Sequence, residues 1–340
     1  MRTSDFEYHL PPELIAQDPL PDRTSSRLLV LDRSFGAIRH GHFADIVDLI
    51  APQDVLVLNV SRVIPARLFG KRDGGRPAEI LLVRELPDGA WIAMGHPGGK
   101  LKPGRCVTLG DDSAIEIVSR MGEGLRVIRF VGSLDARATL AKYGEVPLPP
   151  YIRRPPRPED RDRYQTVYAA HDGSVAAPTA GLHFTEEILA RLRARGVAVT
   201  NVDLHIGPGT FKPVRVDELS RHRMDPEAFT VSDDAATTIN KRRKAGGRVW
   251  AVGTTVVRTL ETCVAGGRII PSAGETQLFI RPPYVFSAVD CLLTNFHLPR
   301  STLLMLVCAF GGFEHVMRAY REAVERKYRF YSYGDAMAVL

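Results

Sequence analysis

Apolar and polar positions alternate in two different rhythms along this chain. Val55-Leu-Val-Leu58 is apolar throughout, the pattern of a strand buried on both faces, and similar runs predict strands at 197–204, 248–252 and 290–294. Between and after them, apolar residues recur at three- and four-residue spacing. That spacing predicts helices over 161–169, 186–195, 233–245, 254–265, 301–310 and 313–327, with further strands at 229–231 and 275–280. Thr185 followed by Glu186 and Glu187 supplies the cap hydroxyl and acidic first turn of one of these helices. Nearer the N-terminus, 27–32 and 37–42 pair as a hairpin across Arg33-Ser-Phe-Gly36, and a short amphipathic helix over 43–50 ends at Pro52.

From 64 to 150 only short, evenly spaced strands are predicted, at 66–70, 78–86, 90–94, 105–109, 114–121 and 125–130. Asp73-Gly-Gly75, Pro87-Asp-Gly89, Pro97-Gly-Gly99 and Gly122-Glu-Gly124 punctuate them, which indicates a small antiparallel barrel or sandwich. One helix over 135–143 follows, and Pro147-Leu-Pro-Pro150 closes the unit as a stiff linker. The fold is therefore read as α/β. An α/β sheet catalytic domain is formed by 1–62 plus 151–340, and a small antiparallel β-barrel domain, 63–150, is inserted into it.

Composition narrows the class. With 44% apolar and 25% charged residues the chain is an ordinary globular protein, and a net charge of +6 is compatible with a phosphate-bearing partner. The charge is clustered: Arg153, Arg154, Arg157, Arg161 and Arg163 fall close together, as do Lys241-Arg-Arg-Lys244. The four cysteines are widely spaced, with no CxxC, and read as buried small hydrophobes in a reducing compartment. No apolar stretch backs the N-terminal charge, and the run 303–310 is too short to span a bilayer; no membrane partner and a cytoplasmic location are expected.

Candidate chemistry gathers where strands give way to loops or helices. The segments are Asn59-Val-Ser-Arg-Val-Ile-Pro-Ala-Arg67, Ala177-Pro-Thr-Ala-Gly-Leu-His183, His205-Ile-Gly-Pro-Gly-Thr-Phe211, Val252-Gly-Thr-Thr255 with Arg258 and Glu261, and Thr294-Asn-Phe-His297. Open α/β sheets bind ligands beyond the carboxyl ends of their strands, so these segments can converge on one pocket. Each alone is weak: Gly207-Pro-Gly209 is also an ordinary turn, and Arg258 and Glu261 are spaced to pair with each other on a helix. No Gly-x-Gly-x-x-Gly follows an early strand, there is no P-loop, Gly-x-Ser-x-Gly or HExxH, and none of His183, His205 and His297 forms an HxH pair, so dinucleotide, P-loop and common hydrolase readings fall away and no metal is expected. Residue chemistry by itself stops at a polar, glycine-lined pocket in basic surroundings.

Longer stretches go further. Leu10-Pro-Pro-Glu-Leu-Ile-Ala-Gln17, Arg62-Val-Ile-Pro-Ala-Arg67, Pro147-Leu-Pro-Pro-Tyr-Ile152, Tyr164-Gln-Thr-Val-Tyr168, Gly207-Pro-Gly-Thr-Phe211, Thr294-Asn-Phe-His-Leu-Pro299 and Tyr328-Arg-Phe-Tyr-Ser-Tyr-Gly-Asp-Ala336 occur in order over the whole chain. In these the chain resembles the S-adenosylmethionine:tRNA ribosyltransferase-isomerases of queuosine biosynthesis. The resemblance implies a ribosyl transfer, not a methyl transfer. The acceptor is the amine of 7-aminomethyl-7-deazaguanine at the tRNA wobble position, and the products are epoxyqueuosine-tRNA, adenine and methionine. S-adenosylmethionine is consumed as donor and no cofactor or metal is required. The fold implied is an α/β domain with an inserted barrel. The partners expected are tRNA and S-adenosylmethionine, acted on by a monomer.

The implied chemistry removes a ribose C5′ proton beside the sulfonium, expels adenine, admits the acceptor amine and closes an epoxide as methionine leaves. It calls for proton-transfer groups and a desolvated site. His183, His205 and His297 are the candidate proton carriers, with Asp335 and Glu261 as base or orienting groups, and the choice among them stays open. Thr179, Thr210, Thr254, Thr255, Asn295, Gly207 and Gly209 are candidates to line the donor site. Arg62, Arg67 and Arg258 are candidates for a carboxylate or phosphate, and Tyr168, Phe184 and Tyr333 for stacking on the base. Arg153, Arg154, Arg157 and Arg161 are candidates to grip tRNA. Two departures stand out: His222-Arg-Met-Asp225 replaces the family's usual His-x-Met-His, and Val60 removes a polar position. Two readings from other classes compete: a metal-dependent hydrolase built on the same histidines, and a catalytically silent tRNA-binding module.

Overall fold

The computed structural model of the 340-residue chain describes every residue except Asp111, Lys212, Pro213 and Arg215, and every remaining side chain except those of Glu123, Thr210 and Phe211. Its organising element is a 9-stranded sheet in the order Ser272–Thr276, Glu227–Val231, Ala198–Leu204, Val55–Asn59, Val249–Val252, Cys291–Asn295, Ala336–Val339, Arg27–Leu31, Ile38–His42. Ala198–Leu204, Val55–Asn59, Val249–Val252 and Cys291–Asn295 are mutually parallel, so their carboxyl ends open on one edge. Glu227–Val231 and Ala336–Val339 add to this core antiparallel, Arg27–Leu31 pairs parallel with Ala336–Val339, and the N-terminal hairpin forms as expected, Arg27 facing His42.

Alternation along each central strand feeds two cores. Val55 and Val57 pack with helices Asp233–Lys244, Thr254–Thr262, Thr302–Gly311 and Phe313–Glu325 on one face; Leu56 and Leu58 pack with Glu186–Ala194 on the other. Coverage of both faces explains why Val55–Asn59 is buried along its whole length and reads as a continuous apolar run. No single helix among the described residues is long and apolar enough to cross a membrane. Thr302–Gly311 and Phe313–Glu325 pass together only as a pair bent by 117°, and both contribute to the core.

Between Val55–Asn59 and the later strands lies a separate, all-antiparallel 7-stranded sheet. Strand Arg67–Arg72 pairs with Arg76–Glu85 on one edge and with Cys106–Gly110 on the other, which closes the sheet into a ring around Leu68, Ile80, Val107, Ile117 and Ile128. The last strand, Gly144–Glu145, pairs beside Leu68 and Arg67. The α/β sheet with an inserted antiparallel near-barrel is thus the fold expected.

Some local expectations are corrected. The helix over 161–169 is only Asp160–Arg163. Arg23 takes the carbonyls of Asp162 and Gln165 at 2.7 and 2.9 Å, acceptors that a continuing helix would use, and Gln165 bonds both backbone groups of Val63. The strand at 275–280 sits instead at Ser272–Thr276, because Thr276 turns the chain by accepting from Leu278 N–H at 3.2 Å. Cys106 is exposed, unlike the other three cysteines.

Candidate active site

Asn59 shows how the strand ends are fixed. Fully buried, its carboxamide donates to the Leu204 carbonyl at 3.0 Å and accepts from the Leu204 and Ser61 amides at 3.1 Å each. Ser174 continues the lattice, donating to Ser61 Oγ at 2.8 Å and accepting from Ile206 N–H at 2.9 Å. These bonds hold neighbouring strand-to-loop junctions together, and Val60 beside them is buried and apolar.

The cavity they frame is lined by Ala176–Ala180, Gly253–Thr255, Arg258, Thr294–Leu298, Tyr151, Tyr331 and Ser332, at the carboxyl ends of the parallel strands. The predicted residues Thr179, Thr254, Thr255, Arg258, Asn295 and His297 therefore meet in one place. Gly253 has φ of +90°, a backbone state that side chains oppose, and it lets the chain turn sharply from Val252 into helix Thr254–Thr262. Arg258, on that helix, does not pair with Glu261. It forms a buried ion pair with Glu227 and donates to the carbonyls of Leu278 and Thr276.

The histidines separate. His297 is buried, its Nε2 within 2.9 Å of Thr294 Oγ1, and burial pushes its pKa down to about 3. His183 is also buried, with Nδ1 2.7 Å from Ser26 Oγ and Nε2 3.2 Å from Asn295 Nδ2. Burial, then the nearby Arg23 and Arg329 charges, push it down to about 3 as well. Both are neutral imidazoles, and both nitrogens of His183 are occupied. Asn295 donates to the Tyr331 carbonyl at 3.1 Å in addition. Its own carbonyl oxygen is buried and has no hydrogen-bond partner among the described residues.

His205 lies apart, on a cleft of about 320 Å³ between barrel and sheet that also includes Gly207, Gly209, Met94 and Met121. Its Nε2 is 3.4 Å from Asp203, whose other oxygen bonds His171 at 2.8 Å. Burial works to raise the Asp203 pKa, but the bonds from His205 and His171 outweigh it and hold the carboxyl below its usual value. Asp225 packs against Gly209, where an added Cβ would lie 2.3 Å from its carboxylate.

Other candidates fall elsewhere. Asp335 accepts from the Arg27 and Arg329 amides at 2.9 and 2.8 Å and pairs with the Arg27 side chain, tying chain segments together outside the cavity. Glu261 accepts from the Ser287 and Ala288 amides and holds that loop. Phe184 is wholly buried in the sheet core, and Tyr333 donates to buried Asp160 at 2.9 Å. Tyr168 stands edge-on to Phe184 at 6.4 Å. Arg62 bonds the Ala169 carbonyl at 2.7 Å, and Arg67 pairs with Glu79 at 3.2 Å, so both are engaged in local packing. In the arginine cluster, Arg153, Arg157 and Arg161 are exposed, whereas Arg154 clamps Asp160 at 2.6 and 2.8 Å. The Thr210 side chain lies outside the described residues. Sequence reasoning missed Ser26, Tyr151, Tyr331 and Ser332. Only their positions inside matching stretches, Tyr151 in 147–152 and Tyr331 and Ser332 in 328–336, hinted at three of them, and nothing hinted at Ser26.

Among the described residues no three His, Cys, Asp or Glu side chains converge as a metal ion would need. The family model described as queuosine biosynthesis protein matches residues 3–339. The S-adenosylmethionine:tRNA ribosyltransferase-isomerase of Anaeromyxobacter sp. (strain Fw109-5) is 54% identical over 341 residues, covering 99% of this chain and 98% of the relative. The enzyme of the same description from Thermotoga maritima is 49% identical over 340 residues, covering both chains fully. A crystal structure of the S-adenosylmethionine tRNA ribosyltransferase from Thermotoga maritima superimposes with a TM-score of 0.58 and 39% identity, over 99% of this chain and 100% of that one.

Proposed function

The chain belongs to the S-adenosylmethionine:tRNA ribosyltransferase-isomerase family of queuosine biosynthesis, and we propose that it works through the cavity at the carboxyl ends of its parallel strands. It transfers and isomerises the ribosyl group of S-adenosylmethionine onto 7-aminomethyl-7-deazaguanine in tRNA, forming epoxyqueuosine and releasing adenine and methionine. The observation that carries the site assignment is the meeting of Ala176–Ala180, Gly253–Thr255 and Thr294–His297 on one cavity.

In this reading His297 and Asn295 face the donor. His297 rests as a neutral imidazole that burial makes a weak base, so the C5′ proton it takes must already be acidified by the adjoining sulfonium, and the dry wall around it protects the resulting carbanion from water. His183 acts through Asn295, whose amide it orients. His205 stands where the barrel meets the sheet, with Asp203 and His171 behind it, and takes the proton of the incoming acceptor amine. Exposed Arg153, Arg157 and Arg161 meet the tRNA backbone. The protein acts in the cytoplasm as a monomer, which sedimentation of the purified chain tests.

The deciding experiment incubates the purified protein with S-adenosylmethionine and wobble-modified tRNA under chelator, followed by mass analysis of small molecules and digested nucleosides. Adenine, methionine and an epoxy-cyclopentane nucleoside are expected. S-adenosylhomocysteine instead would refute ribosyl transfer, and loss of turnover under chelator would bring a metal back into the account.

A further inference from the structure

The cavity offers about 60 Å³, room for roughly four ordered waters, enough for a compact charged head group. Two features of its wall have opposite polarity. One is the start of helix Thr254–Thr262, which no side chain among the described residues caps, since Gly253 stands at the N-cap. Its first-turn amides point to where negative charge is favoured. The other is the Asn295 carbonyl oxygen, on a residue 2% exposed, with no hydrogen-bond partner among the described residues. A buried orphan acceptor is costly unless a ligand donor satisfies it.

The two features are adjacent. Val249–Val252 and Cys291–Asn295 are neighbouring parallel strands, Val252 lies opposite Leu293, and Gly253 N–H donates to the Leu293 carbonyl at 2.8 Å. The helix start and Asn295 are therefore about one strand spacing apart, ~4.8 Å. That is the reach of an α-amino acid head whose carboxylate and ammonium are both hydrogen-bonded. The amide cannot easily turn over to offer its nitrogen: Nδ2 is spent on His183 Nε2 and the Tyr331 carbonyl. Arg258, the obvious carboxylate partner from sequence, is taken by Glu227, Leu278 and Thr276.

We infer that this cavity is the amino-acid subsite for the donor's methionine moiety, with the carboxylate on the first turn of helix Thr254–Thr262 and the ammonium on Asn295 Oδ1. The inference rests on the cavity being the donor site, as proposed above. It makes Asn295 a specificity residue that reads the α-amine.

Calorimetry on the full-length protein compares S-adenosylmethionine with its desamino and decarboxylated analogues. Wild type should bind each analogue about tenfold to a hundredfold more weakly, the worth of a hydrogen bond to a charged group. Asn295→Leu should lose that factor for S-adenosylmethionine and bind the desamino analogue as wild type does, while still rejecting the decarboxylated one. Asn295→Asp, which keeps an acceptor and adds charge, should retain or sharpen the preference for the amine. Equal wild-type affinity for the desamino analogue, or undiminished discrimination in Asn295→Leu, overturns the inference even if ribosyl transfer proceeds. Failure of wild type to bind S-adenosylmethionine at all would instead remove the donor-site reading beneath it.

Discussion

Replacing arginines one at a time in the cluster at 153–161 should separate a fold clamp from an RNA contact. Arg154 is 13% exposed and grips Asp160, itself 1% exposed, through two charge-assisted bonds, with a further contact to Asp18 at 2.7 Å. Arg154→Ala leaves a buried carboxylate supported, among the described residues, by the Arg157 amide at 2.7 Å and Tyr333 at 2.9 Å. Breaking one side of such a pair costs about 3–5 kcal/mol. The acid limb should move too. Burial works to raise the Asp160 pKa, but the Arg154, Arg157 and Tyr333 bonds outweigh it and hold it below the usual range. The resulting stability is fully present above about pH 4 and is lost as pH falls through the depressed folded value. In Arg154→Ala that loss on acidification should shrink, because less remains to be lost. Arg153→Ala and Arg161→Ala, at exposed positions, should leave the unfolding free energy in urea within about 0.5 kcal/mol of wild type. Each should flatten the salt dependence of tRNA binding by about 0.7–0.9 in log–log slope if it meets one phosphate. The assays are urea unfolding at several pH values and tRNA filter binding over a salt series. An Arg154→Ala protein with a wild-type urea midpoint and a flattened salt slope would refute the division of roles.

Other perturbations test the cavity wall. Glu227→Ala should cost about 3–5 kcal/mol in urea unfolding by stranding the Arg258 charge, and the apolar pair Glu227→Leu/Arg258→Met should cost less than that single change. Because His183 and His297 titrate near 3 when folded and near 6.5 when unfolded, the unfolded chain binds more protons between those values. Stability should therefore be full above about pH 6.5 and fall by up to about 1.4 kcal/mol per pH unit per histidine on acidification; a His297→Gln protein with an unchanged acid slope would contradict this. Gly253→Ala should cost about 1–3 kcal/mol because of its +90° φ, and should weaken S-adenosylmethionine binding by displacing the helix start; an unaffected melting curve would show that the turn relaxes freely.

Most of the fold was legible because burial on two faces leaves continuous apolar runs, as in Val55–Asn59, and because barrel strands are cut by glycine turns. Strand Ala336–Val339 was not, since four residues carry no period. Its place between Cys291–Asn295 and Arg27–Leu31 is decided by pairing with segments far away in sequence. The same distance limit divides the site. Loops rich in Gly, Thr, Asn and His announced themselves, and those of the cavity do meet there. Which polar group turns inward depends on partners that no local pattern encodes. Asp335 and Glu261 look like base or orienting groups of a reaction until the backbone amides of Arg27, Arg329, Ser287 and Ala288 are seen to occupy them. Asn295 looks like one polar lining residue among several until His183 and Tyr331 are seen to fix its amide.

The barrel is entered along Arg67–Arg72 and left along Gly144–Glu145, and these strands lie side by side, so close that a side chain at Gly144 would meet the Pro65 carbonyl at 2.3 Å. To the rest of the chain, everything between them is therefore a short tether, whatever its length. Closing a loop costs entropy only as the logarithm of the residues it must constrain, and a ring that has already closed on itself removes its own residues from that count. Once the barrel has formed, Val55–Asn59 and the strands from Ala198 onward search for each other as though the intervening chain were many residues shorter. The insertion thus shortens the conformational search of the sheet that hosts it.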